Sequence, residues 1–595
     1  MKKPARPAAE SDPSGIENRA PSTDGLAEAS ADRAFLRLAG PVFSVLLFLL
    51  CLALCIWKLP RGTAITDEAL YLTIPYRFLQ GDTPLLHEWH VTQLAGLLLL
   101  PLLRLRLLIT GSTEGILLAF RGIYLLLHGL TALYLCARLR HFSRPGALFA
   151  GLMFLVYAPM NIATLSYNSM GIDLLAIVFV TLACGGGRTW EAVLSGLCFA
   201  GAVLCNPWFF LLYPLYTLAV ILSSRRGTSP CLAARFWLVF TAAAAVPALL
   251  AAWRVLGHAE LSLLKETLPA ILSGDTAEHP TRSLFGILYG IWASFHKNAL
   301  FVPTAALSAL MCLCILFDRR RRAHAPLYLL IAALLSIAYT LWFRVYANTV
   351  INYYMFPVNI VGFFAWLLSE RRRNGLFFFV WLPGLLCWFC SAAASNLGFI
   401  NIASVSTLNM LASVCFVFDA LTPLRRGRGL AHLCAALMLL SVLIPFALLL
   451  ECKALTVYPM RPVSASSERI EHGALRGLYA EPEEKAAYEE AWAAAAPIRA
   501  EVSGHVAYLT DAPGLYLSDA KRCGAFSAWF PGSSVRDNLP RLLAYWELFP
   551  DRVPERIFVG MEDPAATELL RDALSEHGFA PLSLADDFWL LERER

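Results

Sequence analysis

Apolar runs of about 20 residues recur along this chain, and no other feature narrows its possible folds so far. In lipid such a run can satisfy its backbone polar groups only as a helix, because the hydrocarbon offers no hydrogen-bond partner. Runs beginning near residues 41, 116, 146, 171, 191, 207, 235, 299, 326, 352, 376, 404 and 429 predict a polytopic α-helical membrane protein of about 13 transmembrane helices. Composition agrees. Of 595 residues, 57% are hydrophobic and only 16% charged, against about 25% in soluble domains. The bilayer is therefore the expected main partner, and nucleic acid is not. Residues 1–33, polar and rich in Pro, Ala, Ser and acidic groups, cannot bury a core and read as a disordered cytoplasmic tail.

A further run, "LAGLLLLPLLRL" at 94–105, is short, contains Pro101 and is followed by basic residues. The arginines decide its placement. If 94–105 does not cross, the clusters at Arg138/Arg140/Arg144, Arg225/Arg226, Arg319–Arg322, Arg371–Arg373 and Arg425/Arg426/Arg428 share one side with the N-terminal tail, as the positive-inside rule requires. The segment then lies as an interfacial helix on the outer face, with the N-terminus inside and the C-terminus outside. The alanine- and arginine-rich composition without targeting signals points to a bacterial inner membrane. After residue 451 the character changes. "HVAYLTDA", "RIFVGM" and "FWLLERE" read as strands, and 483–497, 535–547 and 564–577 as helices, predicting a periplasmic α/β accessory domain over 451–595 behind a transmembrane domain over 34–450.

The fifteen cysteines fall mostly in apolar runs, where Cys packs as a small hydrophobe. Cys452 and Cys523 are the two of the outer portion, and an oxidising compartment permits them to pair.

Chemistry concentrates in the loop after the first run. "TAITDEALYLTIPYRFLQGDTPLLHEWHVTQ" gathers Asp67, Glu68, Asp82, His87, Glu88 and His90 among the interfacial aromatics Tyr71, Tyr76, Phe78 and Trp89. A carboxylate at such a boundary can act as general base, and one about 20 residues later can orient an acceptor or share a divalent cation with it. A solvated charged loop would show the same residues, but the flanking aromatics place this one on the bundle. Asn168 and Asp173 stand near the start of a span in "TLSYNSMGID", where Asp173 either serves a site or charges a helix N-terminus. Outward basic groups, namely Arg121, Lys265, Arg282, His296, Lys297 and Arg344, are candidate phosphate partners or snorkelling cations. In "NTVINYYMFPVNI", Tyr353 and Tyr354 enter a helix interrupted by Pro357.

The acidic pair after the first span, the short interfacial run, "GSTEGILLAFRGIYLLL", the polar turn with its Asp and the "YYMFP" entry together resemble the lipid-linked-sugar glycosyltransferases of the GT-C fold. In pattern they are nearest to the protein mannosyltransferases and lipid A aminoarabinose transferases, over roughly 35–450. The resemblance implies Asp67 as catalytic carboxylate with Glu68 beside it, and Glu88 as a second acidic residue. It also implies Arg121, Asp173 and Tyr354 as counterparts of family positions. His87, His90, Asn168, Arg344 and Tyr353 complete the expected substrate and lipid-phosphate contacts, and Asp67 with Glu88 the metal pair. The family's His-Pro-Pro or Lys-Pro-Pro signature is replaced here by "HEWHVTQ". The implied partners are a polyprenyl-phosphate-linked sugar and a periplasmic glycan, lipid or protein acceptor. A secondary transporter would instead need related halves and ionisable groups at mid-membrane. A non-catalytic sensor or scaffold would make Asp67 and Glu88 dispensable.

Overall fold

The computed structural model describes residues 23–593 apart from 224–228, 258–260, 273–287, 291, 294, 296–298, 347–350, 370–372, 395–397, 425–428, 502–503, 519–521, 561–562 and 585–587. Arg225, Arg226, Arg282, His296, Lys297, Arg371, Arg372, Arg425, Arg426 and Arg428 lie outside the described residues. Two compact units divide the chain, Met1–Leu50 and Cys51–Arg595, and all packing described below belongs to the second. The first helix, Thr23–Lys58, runs through that boundary. Residues 23–33, expected as disordered tail, are therefore helical, in keeping with the helix-forming Ala, Leu, Glu and Arg they carry.

Among the described residues, ten helices are long and apolar enough to cross a membrane. Four expected spans are shorter apolar helices: Arg144–Val156, Thr189–Cys205, Pro207–Ser223 and Phe301–Phe317. The run at 94–105 sits in the helical stretch Gln93–Thr110, whose length and composition also suffice to cross. The bundle is built around Phe399–Leu424, of which 94% of the most apolar window is buried. Small residues let its neighbours approach. A Cβ on Gly362 would sit 2.2 Å from that of Ser413, and one on Gly384 would sit 2.8 Å from Asn409. Several polar side chains on this helix bond across helices. Trp388 donates to Asn409 (2.8 Å), Ser413 donates to Asn359 (2.9 Å), and Asn352 donates to Ser404 (2.7 Å).

Beyond Leu455 a five-stranded sheet forms in the order Arg522–Cys523, His505–Thr510, Arg556–Gly560, Trp589–Arg593, Phe579–Leu584. The first three strands are parallel and the last two join antiparallel. Helices Pro482–Ala494, Val535–Leu548 and Pro564–Glu576 match the expected helical stretches within a few residues. The sheet does not make a core of its own. Leu70, Ile74, Phe78, Leu86 and Trp89 of the first loop, with Val255, Leu264 and Ile271, pack in one cluster with Val506, Tyr508, Phe526 and Tyr545. The expected boundary near residue 450 is thus not a break in packing, because the loop's apolar face is buried by the sheet domain. Cys452 and Cys523 are both buried and both free, so the pairing that an oxidising compartment would permit is not formed.

Candidate active site

The loop after the first span folds into a helix, Ile65–Leu79, with Asp67 and Glu68 in its first turn, where the helix dipole favours negative charge. Adjacent residues on a helix face different directions, and here the two carboxylates part company. Glu68 turns into the bundle, fully buried, and takes a two-pronged ion pair from Arg121, Nε to Oε1 and Nη2 to Oε2, both 2.6 Å. The remaining Arg121 donors reach the carbonyls of Leu59 (2.6 Å), Arg61 (3.4 Å) and Gly62 (2.9 Å). A guanidinium has five N–H groups, and all five are directed at protein acceptors. Arg121, expected to hold a lipid phosphate, instead ties the end of one span to the start of another.

Asp67 faces the other way and is half-buried. The Tyr458 hydroxyl donates to it, and His90 stands close enough to act on its charge. Burial raises its carboxyl above the ordinary range, against the lowering effect of that hydrogen bond and of His90. Tyr458 belongs to the short link between the last span and the sheet domain, and its hydroxyl is pushed up to about 12 by burial and by the neighbouring carboxylate. Tyr71, one turn on, meets Tyr167 edge to face at 5.7 Å. Beside this group opens a shallow cleft walled by Tyr71, Thr92, Gly96, Leu99, Tyr167 and Met170. Asn168 is half-buried next to Tyr167, in the first turn of a helix capped by Ser166. His90 is buried, its Nδ1 2.8 Å from the Thr92 hydroxyl.

The rest of the acidic loop forms a clamp. Arg77, 1% exposed, donates to Asp82 (2.7 Å), to Glu88 (2.6 Å) and to the carbonyl of Ala525 in the sheet domain (2.9 Å). Arg552, also of the sheet domain, holds the second Asp82 oxygen at 2.6 Å. These two guanidiniums outweigh burial and hold the Asp82 carboxyl below its usual value. The other Glu88 oxygen accepts the backbone N–H of His90 at 3.0 Å. Both Glu88 oxygens are therefore occupied, and Glu88 shapes the turn that carries His90. His87 accepts a backbone N–H at Nδ1 from Thr83 (2.9 Å) and packs against Phe549 at 5.1 Å. Burial, then the Arg552 charge, push it down to about 3, so its ring stays neutral.

Each Glu88 oxygen already accepts one N–H, from Arg77 and from the His90 backbone. Among the described residues no group of three or more His, Cys, Asp or Glu could hold a metal.

The other expected residues lie elsewhere. Asp173 is not at the helix start but nearly two turns in, where it meets His128 Nδ1 at 2.8 Å, while His128 Nε2 lies 2.8 Å from the Phe154 carbonyl. The carbonyl can only accept, so Nε2 is the donor to it. Ser166 takes the capping role instead. Arg344 pairs with Glu451 at 2.6 Å and stays 40% exposed. Tyr353 stacks on Phe343 at 4.7 Å, and Tyr354 is buried.

Sequence reasoning missed Tyr458, Arg552 and His128. A histidine inside an apolar run was a usable signal for the last; the other two have none.

What these residues define is a multi-pass helical membrane protein whose sheet domain is clamped over a loop presenting one half-buried carboxylate beside a cleft. No family model matches the chain, and the comparison with curated proteins finds no match. Solved structures do match. The Archaeoglobus fulgidus oligosaccharyltransferase tethered with an acceptor peptide is 11% identical, with a TM-score of 0.45, 93% of this chain covered and 74% of that one. ArnT from Cupriavidus metallidurans bound to undecaprenyl phosphate is 14% identical, with a TM-score of 0.40, 92% of this chain covered and 97% of that one.

Proposed function

We propose that the protein is an inverting glycosyltransferase of a bacterial inner membrane, passing a sugar from a polyprenyl-phosphate carrier to a periplasmic glycan, lipid or protein acceptor. The observation that carries the reading is the division of labour in the first loop. Glu68 and Glu88 are bound to arginines, whereas Asp67, one turn before Tyr71 of the cleft wall, takes a hydrogen bond from the Tyr458 hydroxyl. A carboxylate raised by burial, yet still able to ionise, is suited to accept a proton near neutral pH.

In the reaction the Asp67 carboxylate takes the proton of the acceptor hydroxyl or amine as its oxygen or nitrogen attacks the anomeric carbon. The bond from that carbon to the carrier's phosphate oxygen breaks on the opposite face, and the polyprenyl phosphate leaves with the electron pair. Configuration inverts. Tyr458 and His90 hold Asp67 in place, and Asn168, next to Tyr167 of the cleft wall, is the residue proposed to meet the sugar. Arg344, the partly exposed arginine of the expected set, is the partner proposed for the phosphate. The orientation expected from the arginines puts the cleft and the sheet domain on the periplasmic side of a thirteen-span bundle, with Gln93–Thr110 lying at the interface.

The test is transfer in proteoliposomes. Purified full-length protein with a polyprenyl-phosphate sugar and an envelope extract should yield a glycosylated product and free polyprenyl phosphate in equal amounts. Carrier consumption without a glycosylated product, or no consumption with any carrier, counts against the reading.

A further inference from the structure

The helix Leu261–Leu272, five residues beyond the end of the span Ala234–Leu256, is anchored along one face. Its buried residues are Leu264, Thr267 and Ile271. Leu264 and Ile271 enter the cluster shared by the first loop and the sheet domain. Thr267 donates to the Leu85 carbonyl at 2.7 Å, and Arg541 of the sheet domain donates to the Ala270 carbonyl at 3.1 Å. The helix therefore lies along the seam between those two parts, with its rotation fixed.

That rotation leaves an apolar stripe uncovered. Leu261 is 68% exposed and Leu272 74%, with Leu268 at 38%. At about 100° per residue these three leucines fall within a strip of roughly 40°, about a quarter turn from the buried face. Ser262, Lys265 and Glu266, all exposed, fall on the far side of the strip. One flank is thus apolar beyond what the protein covers, and the other is polar. Lipid continuity says what meets the apolar flank. The preceding span exposes Leu249, Leu250, Trp253 and Leu256 along the half that leads into this helix, while its Val255 joins the same buried cluster as Leu264. The leucine strip begins five residues after Leu256, the last leucine of that exposed surface. Lys265 borders the strip, where its stem can lie along acyl chains with the ammonium at a phosphate.

We infer that Leu261–Leu272 lies in the bilayer surface on the sheet-domain side, with Leu261, Leu268 and Leu272 among the acyl chains and Lys265 at the lipid headgroups. The helix then holds the seam, and the Asp67 cleft near it, at the height of the phosphates. This is independent of which reaction the cleft performs.

Spin labels on single cysteines test it, in full-length protein reconstituted into proteoliposomes with the exposed Cys314 replaced by alanine. Power saturation with oxygen and with a water-soluble nickel chelate reads lipid and water contact at each site. Labels at Leu268→Cys and Leu272→Cys should collide with oxygen several-fold more than with the chelate, and labels at Ser262→Cys and Glu266→Cys the reverse. Equal chelate access at Leu268, Leu272 and Glu266 would overturn the inference, because the strip then faces water. Protection of Leu268 and Leu272 from both reagents would overturn it too, because protein, such as a second copy, then covers the strip. A misfolded label at one leucine is recognised by the other. Neither readout depends on transfer activity.

Discussion

Replacing Arg552 with leucine removes one side of a bridge that joins the sheet domain to the first loop across 470 residues of sequence. Asp82 is 1% exposed and the Arg552 side chain 8%, so water cannot take the place of the lost partner. Breaking a buried pair costs about 3–5 kcal/mol. Arg77 remains on the other Asp82 oxygen at 2.7 Å, so the lower end, about 3 kcal/mol, is expected. Denaturant unfolding of the full-length protein in detergent, followed through tryptophan emission, measures it; Trp89 and Trp546 both lie in the shared cluster. Asp82→Asn combined with Arg552→Leu should lose less than the sum of the two, by roughly 1–3 kcal/mol of coupling. A change under about 0.5 kcal/mol for Arg552→Leu, typical of surface sites, or strict additivity in the double variant, would refute the clamp.

Stability should fall in acid for two reasons with the same sign. His87 titrates near 3 when folded and near 6.5 when unfolded. The unfolded chain therefore binds the proton first, and stability present above about 6.5 is lost as pH falls toward 3. Asp82, also held low, adds a loss below about 4; His87→Gln should flatten the upper part of the pH–stability curve and leave the lower part. Tyr458→Phe removes a hydrogen bond to the ionised Asp67, so the acid limb of the pH–kcat/KM profile should move to higher pH while the plateau changes little. Gly62→Ala should destabilise by about 1–3 kcal/mol, read as a lower unfolding midpoint, because Gly62 has φ +76° and its Cβ would lie 2.5 Å from Val457.

The apolar periodicity made the spans legible, and alternation with turn residues made the strands at 505–510 and 556–560 and the three helices of the sheet domain legible. Local chemistry does not reveal partners brought together by the fold. That Asp67 and Glu68 face apart follows from helix geometry, but which one turns inward is settled by Arg121, 53 residues away. Tyr458 reads in sequence as one more interfacial aromatic after a span, and Arg77 as a cation in the last turn of a helix. Their roles exist only because the link after Leu455 and the carbonyl of Ala525 return to the first loop. Asp173 lies within the bundle because the helix begins at Tyr167 under a serine cap, a start the sequence alone does not mark.

The central claim is that Asp67 is the base of a sugar transfer, and Asp67→Asn tests it most directly. The amide keeps size and accepts the Tyr458 hydrogen bond but cannot take a proton. In proteoliposomes with a polyprenyl-phosphate sugar, the variant should fold with the native unfolding midpoint and transfer about 10²–10⁴ times more slowly. Glu68→Gln, by contrast, should lower the midpoint by loosening the Arg121 pair. Transfer at the native rate by Asp67→Asn would contradict the account.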